Sequence, residues 1–429
     1  MTRKRYDAII SEPSNPWIAG ESALFTKEYF ELARDHLTPD GVFCFWVQGY
    51  DISSDEFTML MRTFQSVFPE ATLWEPLNTA DYMFVGSLAP IKLDITNLQS
   101  RIRQPKVSED LKRVYVSNAA EFFSKFIMGP VSFKKVAGEG EIHTDDKLQL
   151  EYQAPRHLYY TSNFYPELYR KIIGEKDKPR VIISPEEKDW PPDFKNALSK
   201  EMLAAELVQS GQYYRIEGPL LTAFENIEMA ILLSPDNGWY KELVGMICDT
   251  LMDYYMKRDM IKEAVEMCRK SAELNPKSAS VLDNLGTALF HAGKYEEART
   301  EFTKAIEIEA DNFTAIHYIG DIDLREGNIQ SAKDMFRRAI DLNPYYSPPF
   351  VGLGLVAEAQ KNYKGAQDNF RKAIKLDPKN AVAYAQLGKL LLSPEGGNKR
   401  KSGTCYLEKA FTLDPKLKYN TEFRGLLEE

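Results

Sequence analysis

Gly286-Thr-Ala-Leu-Phe-His-Ala-Gly-Lys-Tyr-Glu-Glu-Ala298-Arg-Thr-Glu-Phe302-Thr-Lys-Ala305 decides most of the fold, because its pattern recurs. Gly320, Gly354 and Gly388 follow Gly286 in steps of 34 residues. At the same step Ala332 and Ala366 follow Ala298, Phe336 and Phe370 follow Phe302, and Ala339 and Ala373 follow Ala305. Pro276, Pro344 and Pro378 lie on this grid, and Ala310 fills the vacant proline slot. Several residue types sharing one period are the mark of a repeat architecture. Small residues let two helices cross closely, and Phe fills the space between repeats. Proline ends the second helix because it cannot donate to the helix ladder. Each repeat therefore reads as two antiparallel helices, and the array as an all-α solenoid.

This small–aromatic–small pattern resembles the tetratricopeptide repeat. Clear repeats run over 278–311, 312–345 and 346–379. A fourth, 380–415, carries an insert, since Ala373 to Ala410 spans 37 residues; the extra residues fall in the turn-rich Ser393-Pro-Glu-Gly-Gly-Asn-Lys-Arg-Lys401. Lys399-Arg400-Lys401 reads as a solvated part of that loop. Ala264, Cys268, Ser271 and Pro276 fit the second helix of a repeat upstream, and Ala223, Ile227, Ala230 and Pro235 a degenerate one before it. The repeat domain is thus set at 200–415, with about six repeats of which the first two are degenerate, and 416–429 as a polar capping helix. The first helix of each repeat lines the concave face. Asp283, Thr287, His317, Asp321, Val351 and Leu355 should form a groove for a protein or peptide ligand. The Lys and Asn that clamp a carboxyl terminus in some such repeats are missing, with Asp283 and His317 in their places.

Outside the repeats, composition narrows the possibilities. The chain has 429 residues, room for two to four domains. Apolar residues at 44% and charged residues at 27% are normal for a globular protein. A net charge of −9, from 63 acids and 54 bases, argues against general binding to nucleic acid or an anionic membrane. No apolar run reaches the ~20 residues of a membrane span, and Met1-Thr-Arg-Lys-Arg-Tyr6 has no signal-peptide core. Cys44, Cys248, Cys268 and Cys405 are far apart in sequence and form no CxxC pair. No disulfide framework or zinc site is expected, and the cytoplasm is the simplest setting.

Residues 1–87 follow a different grammar. Tyr6–Ser11 and Val42–Val47 read as buried strands, Thr26–Leu37 as a helix capped by Thr26, and Pro39-Asp-Gly41 as a turn. Ser53 or Ser54 caps a helix reaching Phe68; Ala71–Glu75 and Tyr82–Gly86 read as two further strands, paired as a hairpin. This order implies a mostly parallel α/β sheet, covered on both faces. Residues 88–157 form a helical extension up to about Met128, then loop and a strand at Leu148–Tyr152. Residues 158–199, with five prolines, read as a linker that packs on its neighbours, despite the strand-like Arg180-Val-Ile-Ile-Ser184.

Ser11-Glu-Pro-Ser-Asn-Pro16, then Gly20 and Leu24-Phe25, resembles the fourth-strand motif of spermidine synthase and its aminopropyltransferase-like relatives. Gln48-Gly49 is similar to their Gln-Gly after strand five, and Thr144-Asp145-Asp146 to the end of their domain. The resemblance covers about residues 5–157 and implies a class I methyltransferase-type, Rossmann-like fold, here in part. It also implies a chemistry: an amine attacks a sulfonium-activated carbon, and a carboxylate holds or deprotonates the amine. Glu12 stands at the place of the catalytic Asp, and Asn15 at that of a second Asp. Gln48, Tyr50, Asp145 and Asp146 would face the substrate cleft, with Tyr50 where a Glu is common. These departures weaken any expectation of polyamine specificity.

The family's strands one to three, with the Gly-rich loop that holds S-adenosyl cofactors, have no counterpart here. No cofactor is therefore expected for this chain alone, and decarboxylated S-adenosylmethionine only if the missing half is supplied from upstream or by another chain. Without that half, Tyr6–Ser11 becomes an apolar sheet edge, a pairing hazard. Each candidate also has a structural reading. The Glu12–Asn15 loop can persist as structure, and Thr144-Asp145 can cap a turn. His143 reads as a satisfied loop residue, Trp17 and Trp46 as core, and nothing nearby has metal-ligand spacing. Two functions stand. One is a repeat-based interaction scaffold carrying an incomplete synthase-like domain. The other is an aminopropyltransferase-like enzyme completed by a separate cofactor half.

Overall fold

The computed structural model describes residues 4–14, 18, 20–49, 52–76, 81–151, 165–423 and 426. They fall into two compact units, 1–247 and 248–429.

In the first unit, β1 (Tyr6–Ser11) leads through a 3-10 turn (Glu21–Phe25) into α1 (Lys27–Asp35). Thr26 caps α1: its Oγ1 accepts the Tyr29 N–H at 3.3 Å. β2 (Leu37–Gln48) follows, absorbing the expected Pro39–Gly41 turn into the strand. α2 (Ser54–Val67) opens with a capping box, in which Ser53 Oγ accepts the Glu56 N–H and Glu56 Oε2 accepts the Ser53 N–H at 2.8 Å. β3 (Thr72–Trp74) and β4 (Asp81–Gly86) follow, then β5 (Leu93–Asp94), α3 (Ile95–Ile102), α4 (Pro105–Lys112), α5 (Ala119–Ser124), β6 (Phe126–Met128) and α6 (Pro130–Ala137).

The main sheet has the order β1-β2-β4-β3-β6. Only β1–β2 is parallel; the β2–β4, β3–β4 and β3–β6 pairs are antiparallel. This corrects the mostly parallel expectation. β1, β2 and β3 do run the same way, but β4 turns back after β3 and inserts between β3 and β2. Alternation along β2 turns Phe43, Phe45 and Val47 into one core with α1 and α2. There Phe30 meets Phe45 edge-on at 4.9 Å and Phe64 meets Phe84 at 5.3 Å. Val42 and Cys44, on the opposite face, line an apolar cavity of about 430 Å³ together with Trp74, Met83 and Val85. β1 is a strand as expected but is not buried: Ile10 is 79% exposed. Among the described residues β1 pairs with β2 alone, so its outer edge is open.

Two further expectations change here. Residues 149–151 are helical, not strand, after an isolated bridge between Thr144 and Lys147. The 158–199 segment contains α7 (Tyr165–Ile173), β7 (Ile183–Ser184) paired with β5, and the start of α8 (Pro192–Glu217). Phe194 and Leu198 of α8 pack with Phe123 of α5. α8 and α9 (Leu220–Leu233) therefore lie in the first unit, and the boundary falls at 247/248, within α10 (Gly238–Lys257).

In the second unit, α11 (Ile261–Leu274) precedes four helix pairs. These are α12 (Ala279–His291) with α13 (Tyr295–Ile308), α14 (Phe313–Arg325) with α15 (Ile329–Leu342), α16 (Pro348–Ala359) with α17 (Tyr363–Leu376), and α18 (Ala381–Leu392) with α19 (Arg400–Leu413). The periodic glycines have a steric cause. A Cβ on Gly286 would come within 2.6 Å of the Phe302 ring, on Gly320 within 2.7 Å of Phe336, and on Gly354 within 2.3 Å of Phe370. In the last pair Gly388 faces Leu407 instead, at 2.8 Å, because the insert has moved the second helix three positions along the chain. The expected capping helix is a 3-10 turn, Pro415–Tyr419, followed by further turns. It is held by apolar contact, not by a polar helix: Leu417 and Phe423 pack with Ala385, Leu407 and Phe411.

Candidate functional site

The first helices of the repeats enclose a cavity of about 560 Å³. His317 and Asp321 from α14 and Val351 and Leu355 from α16 line it, joined by Val382 and Gln386 from α18. The wall is aromatic. The Tyr318 ring stacks on Phe302 at 5.1 Å and meets Phe290 at 5.0 Å, and Tyr346 stands edge-on to His317 at 5.6 Å. Arg325 lies 5.2 Å from the Phe290 ring, a cation–π distance.

Polar groups in this wall are poorly hydrated. His317 is 6% exposed; its Nε2 lies 3.4 Å from Asp321 Oδ2, and its Nδ1 has no hydrogen-bond partner among the described residues. Burial lowers the His317 pKa and raises that of Asp321, so both are biased toward their neutral forms. Burial also pushes the Tyr318 phenol up to about 12. Gln386 is 4% exposed and its Oε1 likewise lacks a partner.

Asp283 and Thr287, on α12, do not line the cavity. Thr287 is buried near Tyr318, behind the aromatic wall. The Asp283 carboxyl is raised to about 7, first by burial and then by the neighbouring Asp249 charge, and its Oδ1 has no partner among the described residues. Tyr318, Tyr346 and Gln386 are not among the expected groove residues, and residues 417–423 are expected only as part of the cap. Tyr318 and Tyr346 differ from their counterparts in the grid (Asn284 and Gly352; Asn312 and Asn380), so periodicity hides them. The segment after α19 has no period at all.

At the other end of the chain, Glu12 follows β1 and Gln48 closes β2. These strands are parallel, with Ser11 opposite Phe45, so both residues lie toward the carboxyl ends, where α/β sheets bind ligands. Glu12 is exposed; Gln48 is 1% exposed, with an unpartnered Nε2 among the described residues. Asn15 and Tyr50, and with them Trp17, lie outside the described residues. Asp145 and Asp146 are exposed in the turn after His143, and the Asp145 N–H donates to Glu28 Oε2 at 3.0 Å, near the start of α1. Glu151 accepts from the Gly20 N–H and from the Ser22 hydroxyl, tying this segment to the loop after β1. His143 is buried and structural: its Nε2 donates to the Ser22 carbonyl at 3.0 Å, and its own N–H to Thr63 Oγ1 at 2.8 Å.

A spermine/spermidine synthase domain model matches residues 1–82, and tetratricopeptide repeat models match 279–312, 315–346 and 350–380. The chain joins a synthase-like segment to tetratricopeptide repeats. A polyamine aminopropyltransferase of Ruegeria sp. (strain TM1040) is 30% identical over 126 residues, 28% of this chain and 44% of that protein. The chain thus spans less than half the length of the curated relative it matches. Similar solved structures include a tetratricopeptide repeat protein from Parabacteroides merdae, at 18% identity and TM-score 0.39 over 50% of this chain and 86% of that one. The type IV pilus biogenesis factor PilW matches at 19% identity and TM-score 0.38, over 52% and 98%. No helix among the described residues is long and apolar enough to cross a membrane.

Proposed function

We propose that this fusion is an interaction scaffold whose tetratricopeptide groove captures an extended segment of a partner protein in the cytoplasm. The observation that carries the reading is the cavity formed by α14, α16 and α18. It combines an aromatic wall with two buried polar atoms, His317 Nδ1 and Gln386 Oε1, that lack partners among the described residues. Unmet buried polar groups are costly, and a peptide backbone offers both a donor and an acceptor to meet them. The test is selection of displayed random peptides on the full chain. Selected peptides should bind at about micromolar Kd and lose roughly tenfold on Leu355→Arg. A set of binders indifferent to that substitution would remove the groove from the account.

A second reading rests on the domain match at residues 1–82 and on the placement of Glu12 and Gln48 at one end of the sheet. It is an aminopropyltransferase-like activity in which Glu12 orients or deprotonates an amine. What supports a cofactor held elsewhere is the lack of a glycine-rich strand-to-helix loop among the described residues of the first unit. The turn after β1 has a glycine, Gly20, at φ 86°, but no glycine-rich strand-to-helix loop opens beside it. On this reading the cofactor is held by residues outside this chain. Calorimetry of the chain with decarboxylated S-adenosylmethionine should therefore show no binding, and micromolar binding would reverse that assignment.

A further inference from the structure

The cavity is not formed by repeat helices alone. Leu417, Asn420, Glu422 and Phe423, from the segment after α19, complete its lining. Glu422 Oε1 accepts from Gln386 Nε2 at 3.0 Å and pairs with Lys389 Nζ at 2.7 Å. Phe423, 3% exposed, and Leu417, 9% exposed, anchor the segment in the apolar end of the groove. Local turns shape it: Asp414 accepts the Lys416 N–H at 3.0 Å, Asn420 the Glu422 N–H at 2.9 Å. An end cap would need to touch the last helix pair only. This segment also reaches the other end of the array, where Lys416 Nζ lies 3.7 Å from Asp259 in the α10–α11 loop.

We infer that residues 415–423 are a resident occupant of the groove, and that the partner displacing them carries an acidic residue followed by a large apolar one. The inference rests on the groove reading above and names the chemistry of its ligand. The carboxylate would take over the Lys389 and Gln386 contacts of Glu422, and the apolar side chain the pocket of Phe423. Lys389 supports the charge choice. It is bracketed by Glu358 at 3.6 Å and Glu422, so losing Glu422 to a neutral or basic ligand leaves its second contact unmade. Gln386, with its amide already donated to a carboxylate, keeps its carbonyl oxygen for a backbone N–H of the incoming chain.

A tethered occupant competes at an effective concentration in the millimolar range, so a free copy should bind poorly until the resident is released. The probe is a fluorescent peptide of the chain's own sequence, Pro415-Lys-Leu-Lys-Tyr-Asn-Thr-Glu-Phe423, read by anisotropy on the full chain. A Leu417→Asp, Phe423→Asp chain should bind it at least about tenfold more tightly than the unaltered chain. The gain should vanish when the peptide carries Ala for Glu422, or when the released chain also carries Gln386→Ala. Glu422→Lys, a reversal at a half-exposed position that leaves both apolar anchors in place, should give a smaller gain in the same direction if the double variant does not fold. Equal binding by released and unaltered chains, or a gain insensitive to Glu422 of the peptide, would make the segment a permanent cap. If this probe fails while peptides selected on the groove still bind and still depend on Leu355, the groove reading stands and the resident-occupant inference alone falls.

Discussion

The repeats complete themselves, and the sheet does not. Phe336 is enclosed by glycines of two successive first helices: a Cβ on Gly320 would meet its ring at 2.7 Å and one on Gly352 at 2.4 Å. Every partner it needs lies within one period of it in sequence. In the sheet, Ile10 on β1 is 79% exposed, and its strand offers an open row of backbone groups on one side. Both regions are built from apolar, regularly spaced residues. The difference is range. A solenoid buries each layer on its sequence neighbours, whereas a strand is buried only when another strand, set by topology, arrives beside it.

The strongest way to break this comparison is Phe336→Ala. A fully enclosed ring in the middle of the array should cost about 3–5 kcal/mol, the transfer term plus the cavity left behind. Phe411, 7% exposed in the last helix, should cost no more than about half of that when truncated. Hydrogen exchange should show early opening around α14 and α15 in the first variant only. Equal losses at both sites would mean that the layers are not independently packed.

A smaller effect sharpens the comparison inside the repeats. The Asp283 carboxyl is raised from 3.8 to about 7, so the folded state binds its proton more tightly than the unfolded chain. Its charge therefore costs stability above pH 7, and this cost fades as pH falls through 7 toward 3.8. Asp283→Asn should stabilise the second unit by at most about 4 kcal/mol at alkaline pH and by nothing in acid. Thermal melts across that range would check it, and a gain that grew toward acid would refute the sign. The smallest expected effect is at the sheet edge. Ile10→Lys removes no buried area, so the melting free energy should move by less than about 0.5 kcal/mol. Its measurable consequence is slower self-association by light scattering, since a charge on an edge strand blocks pairing. A large loss of stability would show that Ile10 is covered in solution.

What could be read from the residues follows the same division of range. The glycine, alanine and phenylalanine period located the helix pairs, and Thr26 and Ser53 marked helix starts, because each signal depends on neighbours a few positions away. The insertion of β4 between β2 and β3 depends on contacts that no period encodes, and so the sheet read as mostly parallel. Cys248 and Cys268 looked distant at 20 positions, yet adjoining helices set their sulfurs 3.5 Å apart, both as thiols, with Cys268 held well above the ordinary thiol range by its neighbour and by burial. In the groove, His317, Asp321, Val351 and Leu355 were placed by register alone. Gln386 escaped notice because its role depends on Glu422, from a stretch with no repeat to announce it.

The short stretch from Lys416 to Phe423 has a mechanical consequence. It runs from the neighbourhood of Asp259 to that of Lys389, as a chord runs between two points of an arc. A chord resists the spreading of an arc and goes slack when the arc tightens. Load that draws those points apart should part the exposed Lys416–Asp259 pair first and leave the buried Leu417 and Phe423 anchors to carry the rest.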